Sequence, residues 1–173
     1  MVDPESIKVS TPEEMLSLGG KLGRNLFGGA VIGLEGPMGA GKTTLVRGIA
    51  NGMSIQDGYV VTSPTFTILQ KYPCLDRDLY HLDLYRISGT NDLESTGYRE
   101  TMGPDSVLVI EWVDREPSAL STQHLLVSMD YDNEGRGVVF KPRGRKYAEL
   151  VSISLAAFGK TIDTSISEDI DTQ

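Results

Sequence analysis

The chain has 173 residues, enough for one domain with a proper core and too few for two ordinary ones. A formal net charge of −8 argues against a protein that grips a nucleic-acid backbone by itself, because phosphate contacts need clustered Lys and Arg. The single cysteine, Cys74, leaves no intrachain disulfide; with no N-terminal signal pattern and no apolar run near the ~20 residues of a membrane span, a cytoplasmic protein with no membrane contact is expected.

Ile7-Lys8-Val9 reads as a short edge strand. Ser10 or Thr11 then caps a helix, with Pro12 in its first turn and Glu13 and Glu14 where the helix dipole favours acids. Met15, Leu16, Leu18, Leu22 and Leu26 give that helix its apolar face, and Gly28-Gly29 closes it. Next comes the most informative stretch, Gly36-Pro37-Met38-Gly39-Ala40-Gly41-Lys42-Thr43, followed by Thr44. It fits the phosphate-binding loop G-x-x-x-x-G-K-[ST] at every specified position. Its glycines let successive backbone N–H groups turn toward an anion. Lys42 supplies a cation for the β- and γ-phosphates, and the Thr43 hydroxyl suits a Mg²⁺ coordination position. Ala30–Glu35 reads as a buried strand entering the loop and Thr43–Met53 as the helix leaving it, so the context matches too. The site is expected to take a nucleoside triphosphate.

Val60-Val61-Thr62 leads into the loop Ser63-Pro64-Thr65-Phe66, followed by Thr67-Ile68-Leu69-Gln70 with strand-like residues. Thr65 fits a residue that senses a γ-phosphate and its metal; an ordinary turn between strands is the alternative. Leu79–Arg86 alternates, with Leu79, His81, Asp83 and Tyr85 on one side. Asp83 fits a carboxylate that positions attacking water, or else a turn residue paired with Arg86, and His81 reads as a packed, hydrogen-bonded histidine. Asn91–Met102 reads as a short helix broken at Gly97. Val107-Leu108-Val109-Ile110-Glu111 is a fully apolar strand ending in an acid, a pattern that brings a Mg²⁺-holding carboxylate beside a phosphate loop; a strand ending in a surface Glu is the alternative. A short helix is expected over Asp114–Leu120, and a β-hairpin flanks Asp132–Arg136. Lys141, Arg143, Arg145 and Lys146 read as a solvated basic surface, Tyr147–Phe158 as a terminal helix, and 159–173 as a disordered acidic tail beyond a single domain over 1–158.

Four signatures stand in order: Glu35 through Thr44, Ser63-Pro64-Thr65-Phe66, His81-Leu82-Asp83-Leu84-Tyr85-Arg86, and Ile110-Glu111-Trp112. Together, over roughly residues 7 to 158, they resemble the TsaE (YjeE) family, bacterial ATPases required for threonylcarbamoyladenosine in tRNA. The resemblance implies a three-layer P-loop α/β fold around a central mixed, mainly parallel sheet. It implies ATP and Mg²⁺ as cofactors, with Gly39, Ala40, Gly41, Lys42, Thr43 and Thr44 on the nucleotide and Thr43 and Glu111 on the metal. Thr65 then lies in a switch-like loop, and Asp83 is required for hydrolysis. Trp112 belongs with the nucleotide site, Arg136 matches a hairpin arginine that reaches the nucleotide, and the adenine lies near Thr11-Pro12. The implied partners are the TsaB and TsaD proteins, with tRNA reached only through their complex and the ATPase resetting it between rounds. One departure stands out: the family usually has Gly-Asp-Leu-Gly where this chain has Gly36-Pro37-Met38-Gly39, and Pro37 removes one backbone N–H from the loop. ATP binding is expected to survive it. The rival reading is a small-molecule kinase of the nucleoside-monophosphate type, toward which Glu35–Thr44 and Asp114-Arg115 point; the short chain and the lack of an Arg-rich lid speak against it.

Overall fold

The computed structural model describes residues 4–159. Seven strands form one sheet in the order β1-β7-β6-β2-β5-β4-β3. They are β1 (Glu5–Val9), β2 (Val31–Glu35), β3 (Leu69–Tyr72), β4 (Asp78–Asp83), β5 (Ser106–Glu111), β6 (His124–Asp132) and β7 (Gly135–Arg143). The central neighbours β6-β2, β2-β5 and β5-β4 are parallel, while β1-β7, β7-β6 and β4-β3 are antiparallel. A parallel centre needs cover on both faces, and β5 shows it: all six of its residues are buried.

The thicker layer is built from α1 (Pro12–Asn25), α2 (Lys42–Gly52) and α4 (Arg145–Phe158), which join the inward residues of the sheet in one core including Leu18, Leu45, Ile49, Val109 and Phe140. On the opposite face α3 (Thr90–Ser95) and short 3-10 turns cover a smaller core around Leu82, Ile110, Leu93 and Tyr98. The result is the expected three-layer α/β arrangement. Thr11 is the α1 cap: its hydroxyl accepts from Glu14 N at 3.1 Å while Glu14 Oε2 accepts from Ser10 N at 2.8 Å. Tyr147 anchors α4, its hydroxyl accepting from the buried Val31 N at 2.9 Å.

Several boundaries differ from expectation. α1 stops at Asn25, before Gly28-Gly29, and α2 begins at Lys42. Of the strand-like Thr67-Ile68-Leu69-Gln70, only Leu69 and Gln70 enter β3, because Ile68 adopts a left-handed backbone (φ 65°) and its N–H closes a turn onto Pro64 O at 2.6 Å. The helix expected over Asp114–Leu120 resolves into two 3-10 turns, Val113–Arg115 and Pro117–Ala119; Pro117 has no N–H with which to continue the first. The acidic tail expected over 159–173 lies, Gly159 apart, outside the described residues.

α1 and α2 touch backbone to backbone. A Cβ on Gly19 would lie 2.4 Å from Leu45 O, one on Gly23 2.2 Å from Ile49 O, one on Gly48 2.4 Å from Leu16 O and one on Gly52 2.3 Å from Gly20 O. This seam sets the distance between the loop helix and the start of α1.

Candidate functional site

The phosphate loop runs from the end of β2 to the start of α2 and takes its shape from glycines in conformations other residues avoid: φ is 139° at Gly36, 76° at Gly39 and 104° at Gly41. Pro37 is accommodated. Its carbonyl accepts from Ala40 N at 3.2 Å and from Lys42 Nζ at 2.8 Å, and Gly36 O accepts from Lys42 at 2.6 Å. Gly41 caps α2 without a side-chain hydrogen bond, so the first N–H groups of this 11-residue helix lack a capping side chain. The Lys42 ammonium also sits 3.8 Å from the centroid of the Trp112 ring. Burial holds Lys42 below its usual basic range, opposed by the carboxylates of Glu111, Asp114 and Asp83. Asp114 is therefore a third acid near Lys42, one to which the family resemblance assigns no part.

Two neighbouring cavities share Gly39, Gly41 and Thr44 in their walls. The first, about 230 Å³, is walled by Val9–Pro12, Met15, Glu134, Gly135 and Arg136 as well as the loop. The second, about 380 Å³, is lined by Lys42, Thr43, Ser63, Thr65, Tyr85, Glu111 and Trp112. Thr43 Oγ1 donates to Glu111 Oε1 at 2.8 Å, which joins the two residues expected to share a cation. Trp112 follows β5 directly in a left-handed conformation (φ 58°), and its ring meets Tyr85 at 5.1 Å between centroids. Left-handed backbone at a bulky residue is strained, and Trp112 carries that strain in the wall of the second cavity.

Asp83 lies deeper than the sequence suggested. It is 1% exposed; Oδ2 accepts from Ser63 Oγ at 2.9 Å and Thr65 Oγ1 at 3.0 Å, and Oδ1 accepts from Tyr85 N at 2.8 Å. The hydroxyls of Ser63 and Thr65 thus line the cavity with the carboxylate behind them. Arg86 lies over Phe66, 4.5 Å from its ring centroid, instead of pairing with Asp83. His81 is packed and hydrogen-bonded as expected, and its partner is Glu111 Oε1 at 2.8 Å.

The β6–β7 hairpin reaches over the loop. Tyr131 donates to Met38 O at 2.5 Å, and Arg136 donates from Nη2 to Gly39 O at 3.1 Å while its guanidinium stacks 4.4 Å above the Tyr131 ring. The family resemblance leads to Arg136; Tyr131 and Ser63 carry no signal of their own in the sequence, although Ser63 stands inside Ser63-Pro64-Thr65-Phe66. Of the basic run, Lys141 is less free than a solvated surface implies. It donates to Ser128 Oγ at 2.9 Å, and the Ser128 hydroxyl donates in turn to Glu35, the last residue before the loop.

The sequence model described as "Threonylcarbamoyl adenosine biosynthesis protein TsaE" matches residues 9–138. The chain is 35% identical over 141 residues to the tRNA threonylcarbamoyladenosine biosynthesis protein TsaE of Haemophilus influenzae, covering 78% of this chain and 88% of that one. It is 41% identical over 132 residues to the protein of the same name from Nostoc sp., covering 75% and 80%. The crystal structure of Bacillus subtilis YdiB superposes with a TM-score of 0.74 at 28% identity, covering 91% of this chain and 97% of that one.

Proposed function

The chain belongs to the TsaE family of threonylcarbamoyl adenosine biosynthesis proteins, and on that premise we propose that it is a cytoplasmic, Mg²⁺-dependent ATPase that resets the TsaB–TsaD complex during tRNA modification. The observation that carries this reading is the meeting of Lys42, Thr43 and Glu111 at a glycine-shaped loop on a helix N-terminus. The residues fit the ligand. The loop offers a concave run of backbone, and the two neighbouring cavities give room for a base at Thr11-Pro12 and for phosphates between Lys42 and Thr65.

In this reading Lys42 exchanges the carbonyls of Gly36 and Pro37 for β- and γ-phosphate oxygens. Thr43 and Glu111 would hold Mg²⁺, which when bound supplies charge neutralisation on those oxygens. Among the described residues no group of three or more His, Cys, Asp or Glu suits a metal ion. Ser63 and Thr65 orient water toward the γ-phosphate, and Asp83 accepts its proton through their hydroxyls. Arg136 holds the loop from the base side and Trp112 walls the phosphate side. TsaB and TsaD are the partners, and tRNA is reached only through them.

The test is ATP hydrolysis by this protein alone and with TsaB and TsaD, together with its affinity for TsaB–TsaD in ATP and in ADP. Slow hydrolysis alone, and tighter association with ATP, are expected. Equal affinity in the two nucleotide states would remove the switch, because a ligand without differential affinity shifts no equilibrium.

A further inference from the structure

His81 is fully buried on β4 and has no part in the chemistry described so far. Its Nε2 lies 2.8 Å from Glu111 Oε1, the same oxygen that accepts the Thr43 hydroxyl at 2.8 Å. An ionised carboxylate only accepts, so Nε2 carries the ring proton. Nδ1 is buried with no hydrogen-bond partner among the described residues, so a proton there would be a stranded donor. Tyr72 lies against the imidazole at 6.5 Å between ring centroids. The side chain is therefore confined by packing and has one polar contact to make.

The geometry points to His81 as a positioning residue that fixes the Glu111 carboxylate for its metal. The inference rests on the reading of Glu111 given above. A glutamate side chain turns about three bonds, and two donors converging on Oε1 leave Oε2 as the oxygen without a donor among the described residues. Glu111 also lines the cavity that holds Lys42, and its charge acts on that ammonium through space. Without the Nε2–H, Oε1 keeps only the Thr43 donor, and the carboxylate no longer holds Oε2 in a fixed direction for a metal. The strand register supports the arrangement. His81 lies beside Val109 and Asp83 beside Glu111 in the parallel β4–β5 pair, so histidine and both acids stand on adjacent strands with fixed offset. Outer partners of this kind, when removed, cost about 10–100-fold in metal affinity.

Two variants isolate the proton in question. His81→Gln places an amide N–H near the position of Nε2, whereas the amide of His81→Asn stops short of Glu111; both put a small polar group in the same buried space. Binding of the β,γ-imido analogue of ATP is measured by calorimetry without metal and across a Mg²⁺ titration. The expected result is equal metal-free affinity in all three proteins, a Mg²⁺ half-saturation within about threefold of wild type for His81→Gln, and a 10–100-fold higher one for His81→Asn. A wild-type Mg²⁺ response in His81→Asn overturns the positioning role, and so does a parallel loss of metal-free and metal-bound affinity in both variants. A wild-type protein whose nucleotide affinity ignores Mg²⁺ overturns the metal reading itself, and this inference with it.

Discussion

Lys42 is held in a place that costs its charge something. It is 5% exposed, its ammonium rests on two carbonyls and an indole face, and burial lowers its basicity. A triphosphate offers it charged acceptors instead, worth roughly 1.5–3 kcal/mol for a hydrogen bond to a charged group. Lys42→Ala should therefore weaken ATP binding by at least about tenfold in calorimetry, and unchanged affinity would mean that the loop is not the nucleotide site. Glu111→Gln should leave nucleotide affinity within a few-fold of wild type and cut turnover by at least about tenfold; hydrolysis at the wild-type rate would end its assignment to the metal. Cys74 gives a pH prediction. Burial pushes its thiol up to about 11 from the usual 9.0. Below pH 9 both the folded and unfolded thiol keep their proton and nothing changes; between 9 and 11 only the unfolded chain ionises, so stability falls as pH rises through that window. Cys74→Ser should flatten that fall in denaturant titrations at pH 8 to 11. The residues that could be read from sequence were those whose meaning is local: loop glycines, Lys42 and Thr43 within one motif. The His81–Glu111 pair spans 30 positions and Tyr131–Met38 spans 93, and nothing in a one-dimensional spacing announces either.

The two helices nearest the site depend on what they lack. Gly19 and Gly23 of α1 face Gly48 and Gly52 of α2 so closely that a methyl group at any of them would enter the neighbouring backbone. α1 begins at Thr11-Pro12, a wall of the smaller cavity, and α2 begins at Lys42. Gly48→Ala should thus act twice. Overpacking costs about 1–3 kcal/mol of stability, readable in urea titration, and the helices move apart and loosen the wall around the base. ATP affinity should fall while inorganic triphosphate, which does not need that wall, keeps its own. Equal losses for both ligands would place the effect in the loop itself. α1 is legible from its apolar face and α2 from its place after the phosphate loop, but Gly19, Gly23 and Gly48 are not, because hydrophobic periodicity says which side is buried and nothing about how closely two helices approach. Pattern also missed the break at Ile68, since a β-branched residue in a left-handed conformation is what propensity argues against.

Across the whole molecule, the two cavities at the phosphate loop draw their walls from the end of β1, the start of α1, the loop, β5 and β7. A ligand there ties parts of the chain that lie far apart in sequence. At 100 times its dissociation constant it adds about 2.7 kcal/mol of stability, which for a chain of this size raises Tm by very roughly 5–10 °C. ATP with Mg²⁺ should produce a shift of that order in a thermal melt, and Lys42→Ala should lose most of it. The parallel centre of the sheet could be inferred, because apolar runs such as Val107–Ile110 are covered on both faces; the order in which β7 and β1 extend one edge could not, because pairing partners are chosen by long-range packing. One detail of the phosphate cavity has a practical side. Trp112 is the chain's only tryptophan, and its indole lies against the Lys42 ammonium. When that cation leaves the ring for a phosphate, the electric field on the indole changes. Every photon of tryptophan emission from the unlabelled protein comes from this one wall, so if a phosphate enters this cavity, intrinsic fluorescence should report its arrival without dye, label or mutation.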